Sequence, residues 1–590
     1  MLRTLATALI ALALVGCRPE HEAASEFPRA ESFYEGGRLW GEVTTFNPLT
    51  AIAWPIEGIG LNLLYENLFS YDWQKGKMEP LLAESYQLTD DAVDVTMNSA
   101  ARWNDGKPLT GWDVKYTIDL GKRYKSLKFS PIWKYIRDVQ VSGDGRHVTF
   151  LLDRKENNPL PVLDALQEFH IVPRHAVEPE LARVGGDIEE FGKLRFDQNP
   201  VASGPYRLFS YTSEKLVMMR DDGYWGNAAL HDGKLPAPKY VIHPVYKSNE
   251  HFSVALQQGR LDGSASFMPR IWLKKPKGVR TWFDQEPFFV SLGIPMFYIN
   301  VTHHPLDDVK MRRAMAFAIN YRDIRELAVS GYSKPLKPGL IVPYGPEGKY
   351  YFEEDAAKYG ASYYDPAKAK AILAEAGYKA VFGSDGELVE TRDARGNKLP
   401  TVFIKSPTGW TDYESIVRLA VRSMRQVGID ARERFVDASL YWPARYTGEF
   451  DLILDMPQAE PSPAKPWSRF DFLLTSKEWA PEGEKVYKNY GRFNKPGSPD
   501  YNARFDELIA LIPTLKDEAA LAQAYRELNV LFMQYQPTIP VVYRPDQFYE
   551  FSVRHWTNFP TADDPYVPPQ LPGDRLGTNM LWRLESVRAN

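Results

Sequence analysis

Strand-like and helix-like segments alternate along almost the whole of this 590-residue chain. Such alternation predicts an α/β fold, in which helices cover the faces of sheets. Only one cysteine, Cys17, is present, so no internal disulfide can form and stability has to come from hydrophobic cores. A chain of this length has room for about two or three such cores.

Several elements can be predicted from local patterns. Residues 365–377 begin with Asp-Pro, carry an apolar face at helical spacing and end in Gly, which together predict a complete helix. Asp308 similarly opens a helix predicted over residues 309–329. Residues 402–404 and 450–454 are short apolar runs that predict buried strands. Both strands lead into Pro- and Trp-bearing loops, and ligands of open α/β sheets bind beyond the carboxyl ends of strands.

The N-terminus resembles an export signal followed by a lipid-attachment site. Residues 5–15 form an apolar run that is too short to span a bilayer but has the length of a signal-peptide core. The run ends in Leu-Val-Gly-Cys, which resembles the bacterial lipobox. We therefore expect residues 1–17 to be a lipoprotein signal, Cys17 to be lipidated and residues 18–30 to be a polar tether. The alternative is a buried N-terminal helix with a chance cysteine.

The charge pattern argues against some partners. The formal net charge is −5 and both signs are interspersed, so the chain has no basic footprint for nucleic acid. No apolar run after the N-terminal one is long enough to cross a membrane. We therefore expect a monomer that only the lipid holds at a membrane.

Catalytic motifs are not found in the sequence. G-x-S-x-G and P-loop patterns are missing, residues 58–60 lack the third Gly of a dinucleotide loop, and His21-Glu22 lacks the second His of a metalloprotease. His303 and His304, if they lie on a strand, point to opposite faces and cannot share one ion. We therefore predict that the protein is not an enzyme and has no cofactor or metal site. A secreted hydrolase is the least favoured alternative.

Motifs spread over the mature chain carry a resemblance to a known family. The signature region contains a predicted turn at Asn104-Asp105-Gly106 and a predicted helix cap at Asp113. The matching stretches are residues 81–86, 101–110, 112–114, 203–206, 222–226, 256–262, 298–300, 309–324, 369–378 and 424–429. In their order they resemble the family 5 extracellular solute-binding proteins, which serve peptide, nickel and oligosaccharide importers.

The resemblance implies a large two-lobed fold of the periplasmic-binding-protein type, with an extra subdomain in the first lobe. Two paired crossover strands, predicted at residues 297–299 and 539–543, would join lobes that close over the ligand like a hinge. The implied boundaries are 31–296 for the first lobe, about 68–199 for its subdomain, 297–542 for the second lobe and 543–590 for a C-terminal return. The implied partner is an ABC permease, reached from the periplasm or the cell surface.

Candidate ligand contacts are aromatic and hydrogen-bonding residues in loops that should face the cleft. Trp410 and Asp412 follow the first predicted strand, and Trp467 and Arg469 follow the second. A core position or a surface ion pair is the alternative for each of them. The remaining candidates are Phe267, Met268, Trp272, Trp40, Asn47, Trp54, Tyr543 and Arg544.

The identity of the ligand depends on one departure from the family pattern. Peptide-binding members usually hold the peptide amino terminus with an Asp in a Trp-x-x-Asp-Tyr motif after the strand that here ends near Leu454. This chain has no such Trp there, and Glu460 is the only carboxylate near the expected place. Aromatic residues make up 13% of the chain, and residues 543–561 resemble the C-terminal region of cellobiose and β-glucan-oligosaccharide binders. An oligosaccharide is therefore favoured over an oligopeptide, with nickel and haem as minor alternatives.

Overall fold

The computed structural model describes residues 27–49, 61–274, 277–344, 346–361, 364–456, 462–498, 501–545 and 547–587. Cys17, Trp54 and Glu460 lie outside the described residues, as do the predicted signal and most of the predicted tether. Within the described ranges, none of the helices combines the length and the apolar composition that crossing a bilayer requires.

The strands are, in chain order, β1 (Ser32–Gly36), β2 (Phe69–Asp72), β3 (Lys77–Pro80), β4 (Ala83–Leu88), β5 (Ala92–Met97), β6 (Ile136–Val141), β7 (His147–Leu152), β8 (Tyr206–Tyr211), β9 (Lys215–Arg220), β10 (Tyr240–Pro244), β11 (Gly263–Ser264), β12 (Val279–Thr281), β13 (Met296–Ile299), β14 (Lys379–Phe382), β15 (Leu388–Arg392), β16 (Val402–Pro407), β17 (Ala431–Val436), β18 (Leu452–Asp455), β19 (Thr538–Pro540), β20 (Glu550–Ser552), β21 (Trp556–Thr557) and β22 (Glu585–Ser586).

The α-helices are α1 (Leu61–Leu64), α2 (Gly111–Arg123), α3 (Leu160–Glu168), α4 (Arg174–Arg183), α5 (Ile188–Gly192), α6 (Trp225–Leu230), α7 (Asn249–Gln257), α8 (Ile271–Lys274), α9 (Val309–Ala318), α10 (Tyr321–Asp323), α11 (Glu353–Tyr359), α12 (Pro366–Glu375), α13 (Thr411–Val427), α14 (Ala438–Thr447), α15 (Trp467–Leu474), α16 (Arg504–Leu511) and α17 (Glu518–Tyr535).

The first lobe is built around a seven-stranded sheet in the order β12-β20-β11-β1-β10-β9-β8. Strand β1 pairs in parallel with both β10 and β11. Strand β20 comes from the C-terminal part of the chain and lies antiparallel between β11 and β12. The N-terminal and C-terminal parts of the chain therefore complete one sheet together. A separate four-stranded sheet, β4-β5-β7-β6, forms the centre of the subdomain.

The second lobe contains a five-stranded sheet in the order β17-β16-β18-β13-β19. Strands β16, β17 and β18 are parallel, and β13 runs antiparallel to both β18 and β19. The carboxyl ends of β16 and β18 therefore share an edge with the start of β13 and the end of β19. At that edge the chain passes between the lobes.

The two connections between the lobes are hydrogen-bonded to each other. The Gly293 N–H donates to the Arg544 carbonyl at 2.9 Å, and the Arg544 N–H donates to the Gly293 carbonyl at 3.0 Å. The Val541 N–H donates to the Pro295 carbonyl at 2.9 Å. The segments predicted as hinge strands thus run side by side as an antiparallel pair. The lobe boundaries given by the sequence stay a prediction.

Each lobe places one tyrosine in the core of the other, and we call these two residues the exchanged tyrosines. Tyr332, from the second-lobe part of the chain, is fully buried within the first-lobe core, where its hydroxyl donates to the Met268 carbonyl at 2.7 Å. Tyr135, from the subdomain, packs in a second-lobe core edge-on to Trp467, with ring centroids 6.4 Å apart. The lobes are therefore in contact through two separate sets of side chains as well as through the crossover strands.

Two of the helices predicted from local sequence patterns can be compared with the structure. Helix α12 begins after the predicted cap, because the Asp365 side chain accepts a hydrogen bond from the Lys368 N–H. The single helix predicted after Asp308 is wrong, because α9 ends at Ala318 and Ile319 is extended. Asn320 then caps the next short helix.

The predicted helix cap at Asp113 is also wrong. Thr110 caps α2, and Asp113 accepts from the Thr110 N–H as the second half of a capping box. Residues 450 and 451 precede β18 rather than belonging to it, because that strand begins at Leu452.

Candidate functional site

The rim of the cleft is closed by aromatic rings from the two lobes. Strand β16 ends at Pro407, and the short loop that follows carries Trp410 directly before α13. The ring of Trp410 lies 5.8 Å, centroid to centroid, from that of Trp40 in the first lobe. Behind it lie Tyr441 and Trp442 of α14, at 6.3 and 6.1 Å. The three tryptophans are partly exposed and offer flat apolar faces at the mouth of the cleft, whereas Tyr441 is fully buried behind them.

Gly409 brings the backbone of the rim loop against the first lobe. Its φ of +88° favours glycine, and a Cβ added there would lie 2.6 Å from the Lys247 carbonyl oxygen. The Gly409 carbonyl accepts a hydrogen bond from the Asn249 N–H at 3.4 Å. A residue without a side chain is therefore required where the second lobe meets the start of α7.

A charged pair lies just inside the rim, where the crossover strand passes α13. The Arg544 Nε donates to Asp412 Oδ2 at 3.2 Å, and the Asn249 Nδ2 donates to Asp412 Oδ1 at 3.2 Å. The guanidinium also lies over the Phe548 ring, 4.4 Å from its centroid. One aspartate thus joins the second lobe, the crossover strand and the first lobe.

A second charged pair lies at the end of β18. The Arg445 Nη1 donates to Asp455 Oδ2 at 2.8 Å, and the guanidinium is surrounded by aromatic rings. The Tyr298 hydroxyl is buried nearby and has no hydrogen-bond partner among the described residues. Burial, with a contribution from the Asp455 charge, raises the pKa of Tyr298 well above its ordinary value. Its hydroxyl therefore stays protonated and able to donate.

A narrow crevice lies beside the crossover strands. It has room for about one water molecule, far less than ligand pockets, which span roughly 300–1,000 Å³, so it is a niche beside the cleft. Its walls include the aromatic rings of Trp282, Phe289 and Tyr549 and the apolar side chain of Leu292. The other lining residues are Trp73, Val290, Gln547, Pro569 and Gln570.

Neutral polar atoms of the crevice have no partner within the described protein. They are the Trp73 Nε1, both side-chain polar atoms of Gln547, and the Gln570 Oε1. Buried polar groups are normally hydrogen-bonded, because leaving one unpaired costs about 1–3 kcal/mol. Amide and indole groups of this kind can hydrogen-bond a water molecule or a ligand hydroxyl that reaches the crevice from the cleft.

Four of the residues predicted from the sequence meet in the cleft. Trp40 and Trp410 form the rim, and Asp412 and Arg544 form the pair behind it. The structure therefore assembles these residues from three distant parts of the chain. Their roles in ligand binding stay a prediction.

Other predicted contacts have their polar groups committed to the protein. The Trp467 Nε1 donates to the Ile509 carbonyl at 2.8 Å, and Arg469 grips both carboxylate oxygens of Glu347. Asn47 closes a buried turn, where its Nδ2 donates to the Phe191 carbonyl at 2.9 Å. Tyr543 is buried, and its hydroxyl accepts from the Lys337 N–H at 3.3 Å. We assign structural roles to Trp467, Arg469, Asn47 and Tyr543.

The three predicted contacts from residues 267–272 surround the exchanged Tyr332 instead of the crevice. Phe267 and Met268 are buried in the first-lobe core. Trp272 is half exposed, stacks on Phe288 with centroids 5.6 Å apart and lies edge-on to Tyr332. These residues hold the lobes together near the crossover, so we assign them to the lobe contact.

Several residues of the cleft were not found from the sequence. Gln547 lies three positions after Arg544 and could have been found by following the crossover strand further. Trp73, in the turn between β2 and β3, and Gln570 have no local signal, because only the fold brings them to the crevice. Asn249 was missed because it looks like an ordinary residue of the first turn of α7.

His303 lies in a turn after β13, not on a strand as assumed. Its Nδ1 lies 2.8 Å from an Asp451 oxygen and its Nε2 lies 2.7 Å from a Glu482 oxygen, so both ring nitrogens are occupied by carboxylates. These hydrogen bonds raise the pKa of His303 to about 9. Across the described ranges, no group of three or more His, Cys, Asp and Glu side chains is arranged to hold a metal ion.

Comparison with known structures places this fold among two-lobed solute-binding proteins. An oligopeptide ABC transporter's periplasmic oligopeptide-binding protein from Thermotoga maritima, solved with bound mannohexaose, is 30% identical to this chain. The match covers 95% of this chain and 99% of the other, with a TM-score of 0.84. AppA of Bacillus subtilis, an oligopeptide-binding protein solved with a nonapeptide, is 20% identical and shares the fold with a TM-score of 0.72, over 94% of this chain and 99% of AppA.

Comparison of sequences points in the same direction. A protein of Agrobacterium fabrum named "Probable peptide-binding protein YejA" is 24% identical over 574 residues, which is 92% of this chain and 88% of that protein. Residues 77–480 match the family described as bacterial extracellular solute-binding proteins, family 5. This match spans more than half of the sequence, and the chain belongs to the family 5 extracellular solute-binding proteins.

Proposed function

We propose that this protein is the receptor of an ABC importer for an oligosaccharide, which it binds between its lobes and releases unchanged to the permease. It acts as a monomer, anchored through a lipid on Cys17 in the periplasm or on the cell surface. Family membership supports solute binding and transport. The choice of an oligosaccharide rests on the chemistry of the cleft.

The main observation is that two arginines of the cleft are each held in an ion pair, while the unpaired polar atoms of the crevice are neutral. Arg544 is paired with Asp412, and Arg445 with Asp455. The unpaired groups of the crevice are amide and indole atoms. A peptide with free ends brings an ammonium and a carboxylate, whose desolvation needs opposite charges. A sugar needs only hydrogen bonds for its hydroxyls and rings for its C–H faces.

The Thermotoga neighbour supports this choice, because its structure contains mannohexaose although its name is that of an oligopeptide-binding protein. The alternative is an oligopeptide, and the name of the Agrobacterium relative favours it. The two candidates differ in charge, so they differ in how binding responds to salt.

The test is a binding screen of the purified protein against uncharged oligosaccharides, including mannohexaose, and against di- to pentapeptides with free ends. We expect some oligosaccharides to raise the melting temperature, because a ligand at about a hundred times its Kd adds roughly 2.7 kcal/mol of stability. Affinity should change little between low and moderate salt. Mass spectrometry after long incubation should recover the sugar intact. Tight, salt-sensitive binding of peptides with no response to sugars would establish the oligopeptide alternative, and cleaved sugar would establish a hydrolase.

Lipid anchoring has a direct test in the Cys17→Ser variant. Without the thiol no lipid can be attached, so the variant should move from the membrane fraction to the aqueous fraction, while the unmodified sequence stays with membranes. Metabolic labelling with a radioactive fatty acid should mark only the unmodified sequence. Equal fractionation of the two proteins would contradict the anchor.

A further inference from the structure

We propose that Asp412 sets the charge selectivity of the cleft, by neutralising Arg544 and so excluding acidic ligands in favour of uncharged ones. This inference rests on the proposed function, because it assigns a role to a residue of the same site. It predicts that one carboxylate decides whether the receptor accepts a neutral sugar or its acidic counterpart.

The pair is placed where a ligand would meet it. Arg544 belongs to the crossover strand, only three residues before Gln547 of the crevice, and its carbonyl accepts hydrogen bonds from Leu292 and Gly293. Its side chain is 15% exposed, whereas the Asp412 side chain is 2% exposed. The cation is therefore the more open member of the pair, and the carboxylate lies behind it in the second lobe.

The surroundings of Asp412 fix the position of its carboxylate. It lies in the first turn of α13, where the helix dipole favours an anion. The Asn249 amide donates to one carboxylate oxygen, and the Arg544 Nε donates to the other. An acidic ligand approaching Arg544 therefore meets a fixed carboxylate already bound to that cation, and it gains little attraction.

Removing the carboxylate of Asp412 should make the cleft attract acidic ligands. In Asp412→Asn the side chain keeps its shape and an acceptor oxygen, but Arg544 loses its ion-pair partner, and Glu414 is left as the remaining acidic residue in the first turn of α13. Because Arg544 is partly exposed, the variant places an unpaired cation in the cleft without burying it completely. Such a cation should attract a ligand carboxylate and should still offer hydrogen bonds to hydroxyls.

The probes are mannohexaose and its C1-oxidised aldonic acid, which differ by one carboxylate, together with matched gluco-oligosaccharides. Calorimetry of Asp412→Asn should show the affinity ratio of acid to neutral sugar rising on the order of tenfold over the unmodified protein, as expected for a partly screened charge pair. The gain should shrink with salt, whereas binding of the neutral sugar should not.

Asp430→Asn is the matched control. Asp430 lies just beyond the other end of α13, where it pairs with Arg425 at 2.6 Å and is equally buried. Its replacement removes the same charge from the same lobe but far from the rim, so the affinity ratio should stay at the unmodified value. Circular dichroism and melting temperatures of both variants establish that they are folded.

The outcomes separate the two proposals. If the unmodified protein binds uncharged sugars and Asp412→Asn shows no gain for the acid, Asp412 does not set selectivity, although the proposed function stands. An equal gain in Asp430→Asn would show a general charge effect and would also overturn the inference. If the unmodified protein binds none of the sugars, the proposed function fails, and this inference fails with it.

Discussion

Gly409→Ala is expected to keep the lobes apart at the rim and to weaken ligand binding by about ten- to a hundredfold. An alanine there has to adopt a left-handed backbone, and its Cβ would lie 2.6 Å from a backbone oxygen of Lys247 in the opposite lobe. A carbonyl cannot move aside as a flexible side chain can. The lobes must therefore separate, or the loop must move and break its contact with Asn249.

Small-angle scattering and calorimetry together measure this effect. The radius of gyration of Gly409→Ala with saturating ligand should stay above that of the ligand-bound unmodified protein. Gly428→Ala is the control, because Gly428 ends the same helix with a φ of +98° and its added Cβ would lie 2.5 Å from the Ala380 Cβ. That variant should lose stability but close and bind normally. If Gly409→Ala closes fully and keeps its affinity, the rim does not limit closure.

Trp467→Ala is expected to lower the free energy of unfolding by about 3–5 kcal/mol, the cost of deleting a large aromatic side chain from a core. Trp467 is 3% exposed, its indole N–H is bonded to Ile509, and the exchanged Tyr135 lies against it. The variant should therefore lose stability and, once folded, bind ligand about as tightly as the unmodified protein does.

Trp410→Ala should show the opposite pattern. Trp410 is only partly buried and contacts Trp40 across the rim, so its loss should cost about 2 kcal/mol or more of binding and less of stability. Urea unfolding and calorimetry of both variants separate the two effects. A stable Trp467→Ala that no longer binds would return Trp467 to the ligand site and remove it from the core.

These two tryptophans show what the sequence can and cannot predict. Each follows a predicted strand and lies in a segment containing Pro or Gly, so the local patterns are alike. What differs is the position within the following helix. Trp410 precedes α13 and stays in the loop, whereas Trp467 begins α15, a helix whose eight residues are all buried. A short helix is buried on all sides only when other elements pack around it. The sequence of the helix alone does not predict that packing.

The fold itself was more predictable than the site. The alternation of elements predicts α/β layers, and a cap followed by proline predicts the start of α12 to the residue. The crevice combines Trp73, Phe289 and Gln570, which lie some two to three hundred positions apart in sequence. Such a site is a product of chain topology, so local periodicity contains no signal for it.

The position of β20 imposes an order on how this protein is made. Residues 279–281 reach the first-lobe sheet only by pairing with β20, and β20 begins at residue 550. The first half of the polypeptide therefore leaves the ribosome with a sheet that lacks an inner strand and with open hydrogen-bonding edges. A fragment that stops before residue 550 should expose those edges and aggregate. The N-terminal lobe can thus complete its sheet only after the last tenth of the chain has been made, and an incomplete chain carries the kind of open strand edges that chaperones protect.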